Sequence, residues 1–340
     1  MPLDFKVTVA ILNWNGLKHL QQFLPNVLAN SREAKVVLID NASTDGSAEW
    51  VHLHHPEASI IQLKENLGFT GGYNAAMVQM ETPFTVLLNS DVEVTENWLA
   101  PLIQRMESDP NIAACQPKIR SLFHRDTFEY AGACGGFLDI LGYPYCRGRI
   151  FETCEKDMGQ YNQAVPAFWA SGACMMVRTQ LFLEAGGFES RFFAHMEEIE
   201  LCWRFWEKGH SVWVEPSSLV FHLGAGTLAK TSPRKTLLNY RNGLAMLFMH
   251  SQGPGVFWKV PLRLILDGIA GLRYLAHGEW ENCLAISKAH MEFYQGFRYW
   301  SKKRNANLKG ILPPPIVWTP GSIVHAYFLK GKKRFSDLAN

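Results

Sequence analysis

Val7-Thr-Val-Ala-Ile-Leu12 runs straight into Asn13-Trp-Asn-Gly16, an apolar, β-branched stretch closed by turn-forming polar residues. A short run that is apolar at successive positions reads as a strand buried on both faces, as in a parallel sheet. The same pairing recurs three times. Lys35–Ile39 leads to Asp40-Asn-Ala-Ser-Thr-Asp-Gly46, Ser59–Leu63 precedes Asn66-Leu-Gly-Phe-Thr-Gly-Gly-Tyr-Asn74, and Phe84–Leu88 ends in Asn89-Ser-Asp91. Helix-compatible stretches lie between. In Leu17–Leu28 the apolar residues Leu17, Leu20, Phe23, Leu24, Val27 and Leu28 follow a helical period, with Pro25 expected to kink it. Strands alternating with helices make βαβ units, so the expected class is α/β, with the ligand site beyond the carboxyl ends of the strands.

Turn chemistry alone accounts for any one of these polar clusters, because Asp, Asn and Gly make turns and helix caps. Four at one sheet edge point to a ligand. The Asp40 carboxylate can accept from a ribose hydroxyl or a base N–H. Gly68, Gly71 and Gly72 let backbone approach a ligand closely. Neither G-x-G-x-x-G nor a P-loop is present, which removes support for a dinucleotide oxidoreductase or a P-loop NTPase. Asp91, after an apolar strand, suits a hard divalent cation, Mg²⁺ or Mn²⁺, shared with a diphosphate.

The densest acidic cluster is His195-Met-Glu-Glu-Ile-Glu-Leu-Cys-Trp-Arg204. On a helix Glu197, Glu200 and Arg204 share a face, while Glu198 points elsewhere beside Leu201. An exposed helix with a Glu200–Arg204 pair is the bland reading. Against it stand Leu201, Cys202, Trp203, Phe205 and Trp206, apolar surroundings that raise carboxyl pKa values toward general-base work. His222 follows Ser218–Phe221 and precedes Gly224-Ala-Gly226, a place where a packed histidine is commoner than a ligand. Trp169, Trp203 and Trp213 offer faces for sugar rings, with core packing expected for at least two of them. Thr179 is expected to cap a short helix ending at Gly186-Gly187, and residues 110–160 carry no assignable period.

The 340 residues include 33 Lys+Arg and 31 Asp+Glu, a net +2 that gives no electrostatic case for a nucleic-acid partner. With 47% apolar residues the chain can bury a large core. The charge is unevenly spread, since Val256–Asn340 holds thirteen Lys/Arg against five acids and residues 1–255 are correspondingly acidic. That contrast suggests a catalytic body with a surface-seeking appendage. Seven cysteines without a C-x-x-C pair disfavour a disulfide framework or a zinc site, and no secretory pattern opens the sequence, so a cytoplasmic protein is expected.

Taken in order, Asp40-x-x-Ser43-x-Asp45, Asn66-Leu-Gly-Phe69, Leu87-Leu-Asn-Ser-Asp91, Gly187-Phe188 with Phe193, Glu197–Arg204 and His222 resemble the motifs of inverting family 2 glycosyltransferases with a GT-A fold, in particular the bacterial rhamnosyltransferase-like group that builds surface polysaccharides. The likeness spans roughly residues 5–230. It implies a GT-A-like, mostly parallel nucleotide-binding sheet over residues 1–230 and a mostly helical, basic region over 231–340. It further implies a nucleotide-sugar donor, a glycan or lipid-linked acceptor and a divalent cation. Asp40 and Asp45 would contact the nucleoside, with Asn13, Asn66, Gly68 and Ser90 completing the donor site. Asp91 and His222 would be the metal ligands. Glu198 falls where the family has its general base, with Glu197 the alternative. Asn89 and Glu198 each stand where Asp is usual. A nucleotidyltransferase on a similar sheet and a noncatalytic carbohydrate-binding protein are the competing readings.

Val256–Ala276 is long and apolar but contains Lys259, Arg263, Asp267 and Arg273, each costing about 2.5 to 3.5 kcal/mol at a bilayer centre, so it is not expected to span a membrane. The four charges fall within one arc of roughly 120° on a helix. That face either packs on the catalytic domain or joins Arg298, Lys302, Lys303, Arg304 and the Phe328–Phe335 end in docking on an anionic membrane surface, the outcome expected here.

Overall fold

A computed structural model describes residues 5–224, 232–307, 318–319 and 321–339. Strands β1 (Val7–Asn13), β2 (Lys35–Asp40), β3 (Ser59–Gln62) and β4 (Phe84–Asn89) alternate with α1 (Leu17–Ala29), α2 (Ser47–His54) and α3 (Gly68–Met77). Then come β5 (Val92–Val94), α4 (Leu99–Ser108), β6 (Ile112–Ser121), β7 (Gly136–Asp139), β8 (Pro144–Cys146), β9 (Arg149–Ile150), β10 (Thr153–Cys154) and β11 (Val165–Pro166). The front half closes with β12 (Cys174–Arg178), α5 (Thr179–Glu184), α6 (Glu197–Glu207) and β13 (Ser211–His222). Behind it lie α7 (Pro233–His250), α8 (Val256–Ala276), α9 (Trp280–Gln295), α10 (Phe297–Asn307) and β14 (Trp318–Thr319).

The main sheet runs β11-β13-β6-β12-β4-β1-β2-β3, with β5 added to β13. Its β4-β1-β2-β3 half is parallel, while β12 enters antiparallel between β4 and β6. Both faces are covered. Ala10, Val37, Ile39 and Leu87 join one core with Tyr73 of α3 and Trp203 of α6, whereas Val9, Ile11, Leu38 and Val86 join another with Leu20 and Leu24 of α1. Burial on both sides is why these strands read as unbroken apolar runs.

Residues 110–160 hold β6 and four strands of a second sheet, which β14 from the far end of the chain completes in the order β10-β9-β8-β7-β14. Its strands have two to four residues, too short to show a period of two. Gly136 makes the close packing possible: a Cβ there would fall 2.0 Å from the Trp169 indole.

Several expectations change. Thr179 is the first helical residue rather than the cap, its hydroxyl 2.9 Å from that of Thr85. Trp169 and Trp203 are buried, and Trp213 is half-buried beneath the Arg105 guanidinium, so none of the three presents an open face to a sugar. The basic end is no appendage. Ile323 and Tyr327 form a small core with Tyr145 and Ile150, and Phe335 stacks near Phe137 and Tyr145. Lys303 pairs with Glu189 at 2.9 Å, and Arg304 caps the carbonyls of Phe248 and Ser251. The expected boundary at 230/231 and the Gly226 turn lie outside the described residues.

Candidate active site

The parallel register fixes the first row of the site. Asn13 lies opposite Asp40, Asp40 opposite Gln62, and Leu12 opposite Asn89, so the polar residue ending each strand reaches one edge. Asp40 is fully buried and already served: Asn13 Nδ2 donates to Oδ1 at 3.1 Å, while Gln62 Nε2 and the Ser43 amide donate to Oδ2 at 2.6 and 3.0 Å. These three bonds fix the Asp40 carboxylate at the strand-end edge, and a carboxylate has room for a further donor. Asp45 is half-buried and accepts from the Leu17 and Ser47 amides at 2.8 and 3.1 Å. Burial alone would raise its pKa, but these hydrogen bonds to the charged form hold it below the usual carboxylate range.

The glycines of the third cluster also serve the protein itself. A Cβ on Gly68 would fall 2.6 Å from the Phe193 ring, one on Gly71 would meet Leu67, and one on Gly72 would meet Leu12. The Phe69 and Thr70 amides, at the start of α3, donate to the Phe193 carbonyl at 2.9 and 3.2 Å. Asn66 Oδ1 accepts from Asn41 Nδ2 and the Gly68 amide. Ser90 is half-buried, its Oγ 3.7 Å from where a Gly16 Cβ would stand, which places it beside Asn13. Trp14, 47% exposed at the end of β1, is the open aromatic face of this row.

Asp91 and His222 meet because β13 pairs antiparallel with β5, setting His222 opposite Val92. His222 Nε2 lies 3.2 Å from Asp91 Oδ1, and Nδ1 lies 3.3 Å from Glu129 Oε2. All three residues are buried. Burial would lower the His222 pKa, but Asp91 and Glu129 outweigh it and hold the ring charged, near pKa 10. Sequence reasoning missed Glu129, which lies among glycine-broken loops where no pattern marks it.

The carboxylates Glu197 and Glu198 open α6 after a strained turn. Phe193, His195 and Met196 all have positive φ (66°, 71° and 72°), uncommon for bulky side chains. Asn242 of α7 holds that turn, its Nδ2 donating to the carbonyls of Phe192, Ala194 and His195 at 3.1, 3.0 and 2.8 Å. Arg241 adds bonds to the Arg191 and Phe192 carbonyls. The helical back region thus builds part of the site. Glu198 is half-buried above Gly172, its Cδ 3.8 Å from where a Gly172 Cβ would stand, with Phe69 on the same glycine. Gly172 immediately precedes Ala173, whose carbonyl accepts from the Asn89 amide at 3.0 Å, so Glu198 faces the same edge as Asn89.

Seven buried side-chain polar atoms among the described residues lack a hydrogen-bond partner, and four belong to Asn13, His195, Glu197 and Glu198, while a fifth, His222 Nδ1, has only its ion pair with Glu129. Buried polar groups are normally satisfied, so such a cluster marks a place prepared for something else. Burial pushes Glu198 up to about 7, and burial together with the Glu198 charge pushes Glu197 well above the usual range. His195 is held neutral by burial and by Lys235, at about 4.

Among the described residues no group of three or more His, Cys, Asp or Glu could hold a metal ion. Asp91 with His222, once the ring releases its Nε2 proton, fits a cation of the kind nucleotide sites use, held by one or two protein ligands with phosphates completing its shell. Glu129 behind His222 Nδ1 is the outer carboxylate that such a histidine ligand needs.

The family model for "Glycosyl transferase family 2" matches residues 8–183. N-acetylglucosaminyl-diphospho-decaprenol L-rhamnosyltransferase of Mycobacterium tuberculosis is 27% identical over 285 residues, covering 78% of this chain and 90% of that protein. The pre-mycofactocin glycosyltransferase of the same species is 25% identical, covering 65% of this chain and 43% of its own. Among solved structures, GalNAc-T7 with UDP, GalNAc and Mn²⁺ superposes with a TM-score of 0.56 at 16% identity over 72% of this chain and 47% of that one. The mannosyltransferase PcManGT of Pyrobaculum calidifontis, with GDP-Man and Mn²⁺, gives 0.51 at 15% identity over 89% and 85%. These likenesses bear out the GT-A expectation and set aside the nucleotidyltransferase and noncatalytic readings. The chain belongs to glycosyl transferase family 2, as a rhamnosyltransferase-like enzyme that transfers a sugar from a nucleotide sugar.

Proposed function

We propose that this enzyme moves a sugar, with inversion, from a nucleotide-diphosphate donor to a hydroxyl of a lipid-linked glycan, as in surface polysaccharide synthesis. The observation that carries the reading is the unpartnered carboxyl pair of Glu197 and Glu198, with Glu198 set beside Gly172 toward the strand end at Asn89. Glu198 takes the proton of the acceptor hydroxyl as its oxygen attacks the anomeric carbon. The carbon–oxygen bond to the diphosphate breaks on the opposite side, and the nucleoside diphosphate leaves with the electron pair. A base poised near neutrality suits that task, and Glu198 is the more accessible of the two carboxylates.

Asp91 and His222 would hold a divalent cation beside the diphosphate. When bound, that ion stabilises the charge on the leaving group. Glu129 keeps Nδ1 of His222 engaged, leaving Nε2 to face Asp91. Asn13, Asp40, Asp45, Asn66 and Ser90 line or shape the donor end, with Gly68 setting the loop behind them, and Trp14 offers a face for the base. The names of the relatives support the class of reactants: a diphospho-decaprenol acceptor for one, and UDP or GDP-mannose with Mn²⁺ for two of similar fold.

The test is turnover of a panel of nucleotide-diphosphate sugars with polyprenyl-diphospho-sugar acceptors and Mn²⁺ or Mg²⁺. Release of nucleoside diphosphate and an inverted anomeric signal in the product are expected. Retained configuration would overturn the single-base mechanism.

A further inference from the structure

Helix α8 is turned inside out for a protein in water. Its most buried positions are Arg263, Asp267 and Gly271. Arg263 Nε bonds Asp267 Oδ1 at 2.9 Å, Tyr143 donates to the same oxygen at 3.1 Å, and Arg263 Nη1 reaches the Leu141 carbonyl. Two of the four charges in the arc expected to face outward, Arg263 and Asp267, are therefore spent on internal contacts with residues 141–143. The opposite side carries Trp258, Leu262, Ile265, Ile269, Leu272 and Leu275, exposed by 37 to 66% and spaced by four or three residues, one continuous stripe. Single exposed apolar residues need no explanation, but a helix-long stripe of them does.

The stripe has a basic surround. Arg273 lies beside it with its guanidinium 5.4 Å from the Phe328 ring, and Phe328 and Leu329 are exposed next to Lys330, Lys332 and Lys333. Residues 256–340 hold thirteen Lys/Arg and five acids. A second copy brought face to face would set these basic rims against each other, whereas an anionic surface complements them. No helix of the described residues is long and apolar enough to cross a membrane.

We infer that the outward stripe of α8, with the adjoining Phe328–Lys333 segment, beds into the headgroup boundary of an anionic lipid bilayer, lying on it without spanning it. The apolar side chains enter the acyl boundary while Arg273 and the lysines meet lipid phosphates.

Co-sedimentation of the full chain with phosphatidylglycerol vesicles and with phosphatidylcholine vesicles tests this. Binding to phosphatidylglycerol that weakens with added salt is expected, and the double variant Ile265→Asp/Ile269→Asp should bind at least about tenfold more weakly with an unchanged melting temperature. Lys330→Glu/Lys332→Glu should reduce binding to phosphatidylglycerol and leave any binding to phosphatidylcholine as it was. Equal binding by the Ile265→Asp/Ile269→Asp protein, or no wild-type binding at low salt, would overturn the inference. So would a wild-type dimer that fails to bind vesicles and becomes a monomer on that double substitution, which would give the face to a second copy. The assay contains neither donor nor acceptor, so its outcome is separate from that of the transfer chemistry.

Discussion

Helix α6 places four glutamates within three turns and treats them in opposite ways. Glu200 and Glu207 flank His250 at 3.1 and 2.9 Å, and Glu200 also holds Arg204 at 2.6 Å. Burial would raise the Glu200 pKa, but these cations bring it down to about 2, and the same contacts hold His250 near 9 against its own burial. Glu197, buried, and Glu198, half-buried, stand at the start of the same helix and have no cation, so burial wins and their pKa values rise. The first pair of charges stabilises the fold. The second destabilises it, and under the proposed function it stands where a proton is taken from the acceptor, as perturbed groups at working sites often do.

The widest separation should appear in turnover. Glu198→Gln is expected to lose on the order of 10²- to 10⁴-fold in kcat with donor affinity nearly unchanged, measured at saturating acceptor. A dead Glu197→Gln beside an active Glu198→Gln would move the base one residue and leave the comparison standing.

Stability should separate the two pairs in the other direction. His250→Leu leaves Glu207 buried without its cation, and chemical denaturation should show a loss of about 3 to 5 kcal/mol, while kcat of the folded fraction stays within a few-fold. His250 is charged below its raised pKa, so its contribution is complete below the unfolded value near 6.5 and disappears as pH rises through about 9.

Glu198 has the opposite sign. Its raised pKa means that the native state binds the extra proton, so stability falls as pH climbs from 4.5 to about 7. Glu198→Gln, which mimics the protonated form, should therefore be more stable than wild type at pH 8 by up to about 3 kcal/mol and indistinguishable at pH 4. Equal melting temperatures at both values would mean that Glu198 is paired in solution.

His222 repeats the His250 arrangement at the mouth of the site, between Asp91 and Glu129. Here the effect is read in metal-dependent binding. Glu129→Gln should weaken Mn²⁺-dependent nucleotide binding by about 10- to 100-fold, read by calorimetry, whereas Asp91→Ala should remove the metal dependence altogether. Full activity in excess chelator would separate His222 from metal binding and return it to a structural role like that of His250.

How much of this was legible in the sequence follows the range of the interactions. The β1–β4 strands and their polar ends were readable because burial on both faces leaves a continuous apolar run, and register then forces Asn13, Asp40 and Asn89 to one edge. Glu198 was legible through its apolar neighbours and the family likeness. Glu129 was not, since it reaches His222 across 93 residues from a segment whose strands are too short to show a period. Asn242 looked like any polar residue within a helix, because nothing local tells that its amide spans three carbonyls of a distant turn. The orientation of α8 was misread for a related reason: periodicity shows that a helix has two faces but does not say what lies against each.

The pH dependence of kcat with a defined donor and acceptor tests the unpartnered base most directly. The rate should rise through an apparent pKa near 7, a value belonging to the Glu197–Glu198 pair, and that ascending limb should vanish in Glu198→Gln while persisting in His250→Leu. A wild-type rate that is flat from pH 5 to 8, or an ascending limb that survives in Glu198→Gln, would contradict it.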